Sequence, residues 1–92
     1  MIQKQFIITS EVGLHARPAT LLVQEASRYS SEVELEYNDK KVNVKSIMGV
    51  MSLGIPQGGK FDLIIEGNDE IEAFQGIEAL LKEEEIAEQA EN

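Results

Sequence analysis

Three polar residues have the types and surroundings for chemistry: His15, Arg17 and Ser46. His15 is the only histidine and lies in residues 9–20, TSEVGLHARPAT. A helical period starts at Ala16, so Pro18 falls in the first turn, where a missing N–H costs nothing. Unpaired amides near Ala16 and Arg17 then point back toward the imidazole. A helix N-terminus attracts anions, phosphate above all. Arg17 adds a fork of donors within reach of the same spot. That positive end disfavours a protonated ring and favours the neutral, nucleophilic form. A phosphoryl group on the ring would be a dianion held by the same donors, which is what a transferable phosphohistidine requires. A plain loop histidine, or a poor N-cap, is the competing reading.

Hydrolysis and metal binding fit less well. Glu11 is the only carboxylate near His15 in sequence, and no second catalytic group accompanies it. There is one histidine, no cysteine and no carboxylate pair at ligand spacing on one element, so no metal and no cofactor is expected.

The helix that starts at Ala16 carries two stripes. Ala19, Leu22, Val23 and Ala26 recur at i, i+3, i+4, i+7 and form the buried one. Arg17, Thr20, Leu21 and Gln24 recur with the same spacing on a roughly opposite face. Leu21 there is either a stray exposed leucine or part of a contact surface. The run SIMGVMSL, residues 46–53, bears on that choice. Val50 and Leu53 face the core, while Ile47, Met48 and Met51 share another surface. Clustered Ile and Met suggest an interaction patch that adapts to several partners; packing under a sheet edge is the alternative. Ser46 opens this short helix. It reads as a structural N-cap and equally as a phosphorylation site at the margin of the patch.

The elements that must position these residues follow from periodicity. Residues 2–9 read as a strand with Phe6 and Ile8 on one face and Gln3, Gln5 and Ile7 on the other. Residues 10–15 are a loop bent at Gly13. EVELEY alternates with Val33, Leu35 and Tyr37 inward, Asn38-Asp39 suits a tight turn, and Val42 and Val44 return on a second strand. GIPQGG is loop. Residues 60–66 form a last strand with Phe61, Leu63 and Ile65 inward. A final helix starts near Asn68 or Asp69, with Asp69 and Glu72 resembling a capping box and a buried stripe of Ile71, Phe74, Ile77, Leu80 and Leu81. Beyond about Glu85 a frayed end is expected. The order βαββαβα predicts an α+β fold, an antiparallel sheet with helices on one side and water on the other.

Ninety-two residues make one small domain, 1–92, with 42% hydrophobic and 27% charged residues. Net charge is −9, and its placement matters. Residues 1–65 hold seven acids and seven bases, whereas residues 66–92 hold ten acids and a single base, Lys82. No basic stripe exists for nucleic acid. No apolar run approaches a membrane span, and no signal peptide is evident, so the cytoplasm is the expected compartment.

GLHARPAT and KSIMGVMSLGI together resemble the active-site and regulatory segments of HPr, the histidine-containing phosphocarrier family of the bacterial phosphoenolpyruvate-dependent sugar phosphotransferase system. The resemblance covers nearly the whole chain, and SIMG favours the Gram-positive type. It implies an open-faced β-sandwich, a four-stranded antiparallel sheet with three helices over one face. It implies that His15 accepts phosphoryl from enzyme I on Nδ1 and passes it to sugar-specific IIA domains, with Arg17 helping to hold the group. Ser46 would match the serine modified by HPr kinase/phosphorylase, and the modified form would bind a catabolite-control repressor. Thr20, Leu21, Gln24, Ile47, Met48 and Met51 would form the shared partner face of a monomer that is a phosphocarrier and not an enzyme. Regulatory relatives that act through the serine lack the histidine. A non-catalytic interaction domain working through Ser46 and the Ile47/Met48/Met51 patch is the alternative. PQGGKF and the acidic stretch after Leu81 depart from the usual family pattern.

Overall fold

The computed structural model describes residues 1–90. Its elements are β1 (Ile2–Ile8), α1 (Ala16–Ala26), β2 (Glu32–Tyr37), β3 (Lys40–Asn43), α2 (Ile47–Ser52), β4 (Lys60–Glu66), α3 (Glu70–Glu83) and β5 (Ala87–Gln89). The sheet runs β3-β2-β4-β1-β5 and every neighbouring pair is antiparallel.

Alternation decides which face of each strand is buried. Phe6 and Ile8 on β1, Val33 and Leu35 on β2, and Phe61, Leu63 and Ile65 on β4 all lie under the helices. Phe6 stacks on Phe61 with ring centroids 5.8 Å apart, and Phe74 of α3 closes over Phe6 at 6.3 Å. Burying such a side chain contributes about 1.5–3 kcal/mol. Asn38 and Asp39 join β2 to β3 with φ of 51° and 65°. Two left-handed residues make the hairpin turn whose twist matches the strands it connects.

Three expectations need correction. The sheet has five strands, because the chain after Glu85 turns back and does not fray. Glu85 adopts φ 56°, Ile86 and Ala87 are buried, and β5 pairs with Phe6–Ile8 of β1. The physical reason is the outer edge of β1, whose backbone groups need partners, together with the apolar side chains of Ile86 and Ala87, which join the core. Residues 91–92, also expected to be frayed, lie outside the described residues.

The α3 stripe is Ala73, Ile77 and Leu81, with Phe74 half-buried and Ile71 61% exposed. At 100° per residue Ile71 lies about 120° from the centre of that row. Nor is there a capping box. Asp69 makes no cap bond. Its carboxylate accepts the Ser30 and Ser31 amides, each at 2.9 Å, and the Ser31 hydroxyl. These donors, the Ser31 hydroxyl first, hold the Asp69 carboxyl down to about 2. The α3 start is thereby pinned to the chain entering β2. Glu70 instead accepts the amide of Gly67, upstream of the helix, at 3.1 Å.

Candidate functional site

His15 ends the β1–α1 loop, and that loop is clamped from two directions. Gly13 has φ 72° and sits so close to the 54–56 segment that an added Cβ would stand 2.5 Å from the Ile55 carbonyl oxygen. Leu14 is fully buried and donates its amide to that same oxygen at 2.8 Å. Gln57 Nε2 donates to the Thr9 carbonyl at 3.1 Å. From the other side, the Ile86 carbonyl accepts the amides of Thr9 and Ser10 at 2.9 and 3.2 Å. A buried leucine directly before the histidine and two lateral ties fix where the ring starts.

The ring itself is exposed. His15 is the N-cap of α1, with extended backbone, and its side chain makes no cap bond. Ala16, the first helical residue, is left-handed with φ 52°. For an alanine that conformation costs about 1–2 kcal/mol. It swings the chain sharply between His15 and Arg17. Thr20 Oγ donates to the Ala16 carbonyl at 3.2 Å, so this turn is held from within α1. The amides of Ala16 and Arg17 lie in the first turn, where a helix offers no acceptor of its own.

Arg17 is aimed elsewhere than the residue pattern suggests. Its Nη1 lies 3.3 Å from Glu84 Oε1, at the end of α3. The Arg17 side chain is 73% exposed and can reorient. Sequence reasoning missed Glu84, one of many acids in the last quarter of the chain. It also missed Val12, which is 64% exposed in the His15 loop.

An open groove of about 790 Å³ lies beside this loop, lined by Glu11, Val12, Gln57 and Lys82 among others. His15 does not line that groove. An exposed imidazole outside the groove can enter the cleft of another protein. Among the described residues no group of three or more acids and histidines is placed to hold a metal ion. No helix is long and apolar enough to cross a membrane.

α2 packs beside α1. Ser46 is its exposed N-cap, and its Oγ accepts the Gly49 amide at 3.1 Å. Ile47 and Met48 are exposed, at 38% and 78%. Met51 differs from the expectation. It is half-buried and packs against the core, as Leu21 does on α1. Thr20 is half-buried and Gln24 exposed. The outward part of the face is therefore Gln24, Ile47 and Met48, with Leu21, Thr20 and Met51 forming its floor.

The model of the phosphotransferase-system HPr component phosphorylation site matches residues 2–83. An HPr from Thermoanaerobacter tengcongensis is 49% identical, covers 89% of this chain and 92% of its own, and superposes with a TM-score of 0.85. The histidine-containing phosphocarrier protein of Mycoplasma is 40% identical over 92% of this chain and 97% of its own, with a TM-score of 0.89. The catabolite repression protein Crh of Bacillus subtilis, solved as a dimer with a swapped domain, is 49% identical over 91% and 97%, with a TM-score of 0.70. With a family match across most of its length, and first seven elements in the order βαββαβα, the chain belongs to the HPr family of the phosphotransferase system, whose members carry phosphoryl groups without being enzymes.

Proposed function

We propose that His15 is the phosphoryl carrier. Its Nδ1 attacks the phosphorus of phosphorylated enzyme I, the enzyme I side chain leaves, and the group passes next to a sugar-specific IIA domain. The observation that carries this reading is an exposed imidazole at a helix N-cap, free of any cap bond, with the first-turn amides of Ala16 and Arg17 next along the chain. Arg17 leaves Glu84 to hold the phosphoryl oxygens. Thr20, Leu21, Gln24, Ile47, Met48 and Met51 form the face that partners share. Ser46 is the regulatory site for HPr kinase/phosphorylase, and its modified form engages a catabolite-control repressor. The protein acts as a cytoplasmic monomer of one domain.

The likeness to Crh favours a second reading, a regulatory protein that works through Ser46 and the Ile47/Met48/Met51 patch alone. His15 weighs against it, because a chain that used only the serine would not need an exposed imidazole.

Incubation with phosphoenolpyruvate and enzyme I separates the two. One acid-labile phosphoryl group is expected, absent in His15→Ala and retained in Ser46→Ala. No label, or label surviving in His15→Ala, refutes the carrier reading and leaves the regulatory one.

A further inference from the structure

α2 has six residues, and the third of them is a glycine. Gly49 has right-handed helical backbone, so no left-handed turn demands it. Gly13 is different, with φ 72° and a carbonyl oxygen 2.5 Å from the place of its missing Cβ. A glycine inside a helix weakens it relative to alanine, and a helix this short has little cooperativity to offset the loss. Beyond the helix's own backbone, a Cβ on Gly49 would meet no main-chain atom nearer than the Asn43 carbonyl oxygen at 3.6 Å. What it would meet first is Ser46, the Oγ at 3.3 Å and the Cβ at 3.5 Å. The only group crowded by a methyl here is the serine hydroxyl.

We infer that Gly49 is a positioning residue for modification of Ser46: its missing side chain is the room in which a phosphoryl group on Oγ is built and kept. This rests on the reading of Ser46 as a phosphorylation site. In the reaction, Ser46 Oγ forms the bond to the γ-phosphorus of a nucleoside triphosphate. The hydroxyl proton passes to a base of the kinase, the bond to the bridging oxygen breaks, and the nucleoside diphosphate leaves. The phosphorus on Oγ then carries three further oxygens. The Gly49 amide, which donates to Oγ at 3.1 Å in the unmodified protein, turns to one of them. A methyl 3.3 Å from Oγ occupies the space they need.

The test is Gly49→Ala. Its melting temperature is expected to hold or rise, and its labelling at His15 by enzyme I to match the parent protein. Labelling of Ser46 by HPr kinase/phosphorylase and ATP is expected to fall about tenfold in kcat/KM. Unchanged Ser46 labelling, with the parent labelled normally, overturns the inference and leaves Ser46 as the site. No labelling of the parent refutes the site itself.

A second measurement needs no kinase. Phosphoserine is installed at position 46 during translation, with and without Gly49→Ala, and the four melting temperatures are compared. The substitution should lower stability with phosphoserine and not with serine. Equal effects on the two overturn the inference.

Discussion

The guanidinium of Arg17 lies 3.3 Å from the carboxylate of Glu84, sixty-seven positions along the chain. This ion pair ties the first turn of α1 to the last turn of α3. It also occupies the cation that the proposed phosphoryl group would draw on. Glu84→Gln removes the competitor. Both partners are partly exposed, so the pair is worth about 0–1 kcal/mol. The expected result is a small loss of stability and a shift of the enzyme I equilibrium toward phosphorylated His15 by up to about fivefold. Quantifying the phosphohistidine fraction at fixed phosphoenolpyruvate and pyruvate checks it. A shift in the opposite sense would show that Glu84 positions Arg17 and does not compete for it.

Ser46→Asp places a charge beside exposed Ile47 and Met48. Transfer from enzyme I should slow by about tenfold at low ionic strength, since like-charge juxtaposition across an interface is costly. High salt should shrink the effect, because the site is exposed and screened. Rates measured across a salt series decide the matter. A slowing that ignores salt points to a change in α2 itself.

Asp69 gives the fold an acid limit. Its carboxyl is held down to about 2 in the folded protein by the Ser31 hydroxyl and the Ser30 and Ser31 amides, against an ordinary value of 3.8. A carboxyl lowered by folding contributes stability above its unfolded value and loses it as pH falls through the folded one. The contribution is therefore whole above about pH 5 and mostly gone by pH 2. Asp69→Asn should melt earlier than the parent at pH 7, with the two curves converging between pH 4 and pH 2. Parallel curves over that range would remove this assignment.

Ile86 is 1% exposed and its carbonyl accepts two amides of the loop that leads to His15. Ile86→Ala should cost about 3 kcal/mol, read from the urea midpoint. The amides of Thr9 and Ser10 should exchange faster with deuterium in this variant. A cost under about 1 kcal/mol would mean that the C-terminal strand is not part of the core.

How much of this was legible depends on where each signal resides. Val33 and Leu35, or Phe61, Leu63 and Ile65, announce their strands because alternation is a local property. Asn38-Asp39 announces its turn because those side chains tolerate a left-handed backbone. Ala87-Glu88-Gln89 carries no such signal. Its strand exists because β1 offers an edge, and an edge is a property of the assembled sheet. Ile71 follows the apolar period yet faces outward, because Ala73, Ile77 and Leu81 set the direction of burial. That His15 and Ser46 begin helices could be read from the chain, because a cap is a local signal. The Arg17–Glu84 pair and the left-handed Ala16 could not, since one joins distant segments and the other occurs at a residue that ordinarily avoids that conformation.

The neighbourhood of α1 and α2 carries a kinetic consequence. Under the proposed carrier function, a donor and an acceptor that both dock on exposed His15, Gln24, Ile47 and Met48 cannot sit there together. They must queue for the same berth, and each visit blocks the next. Throughput is then governed by how quickly a visitor leaves. Selection on such a surface favours brief encounters over tight ones, and under the same proposal a single added charge at Ser46 would be a turnstile for the entire line.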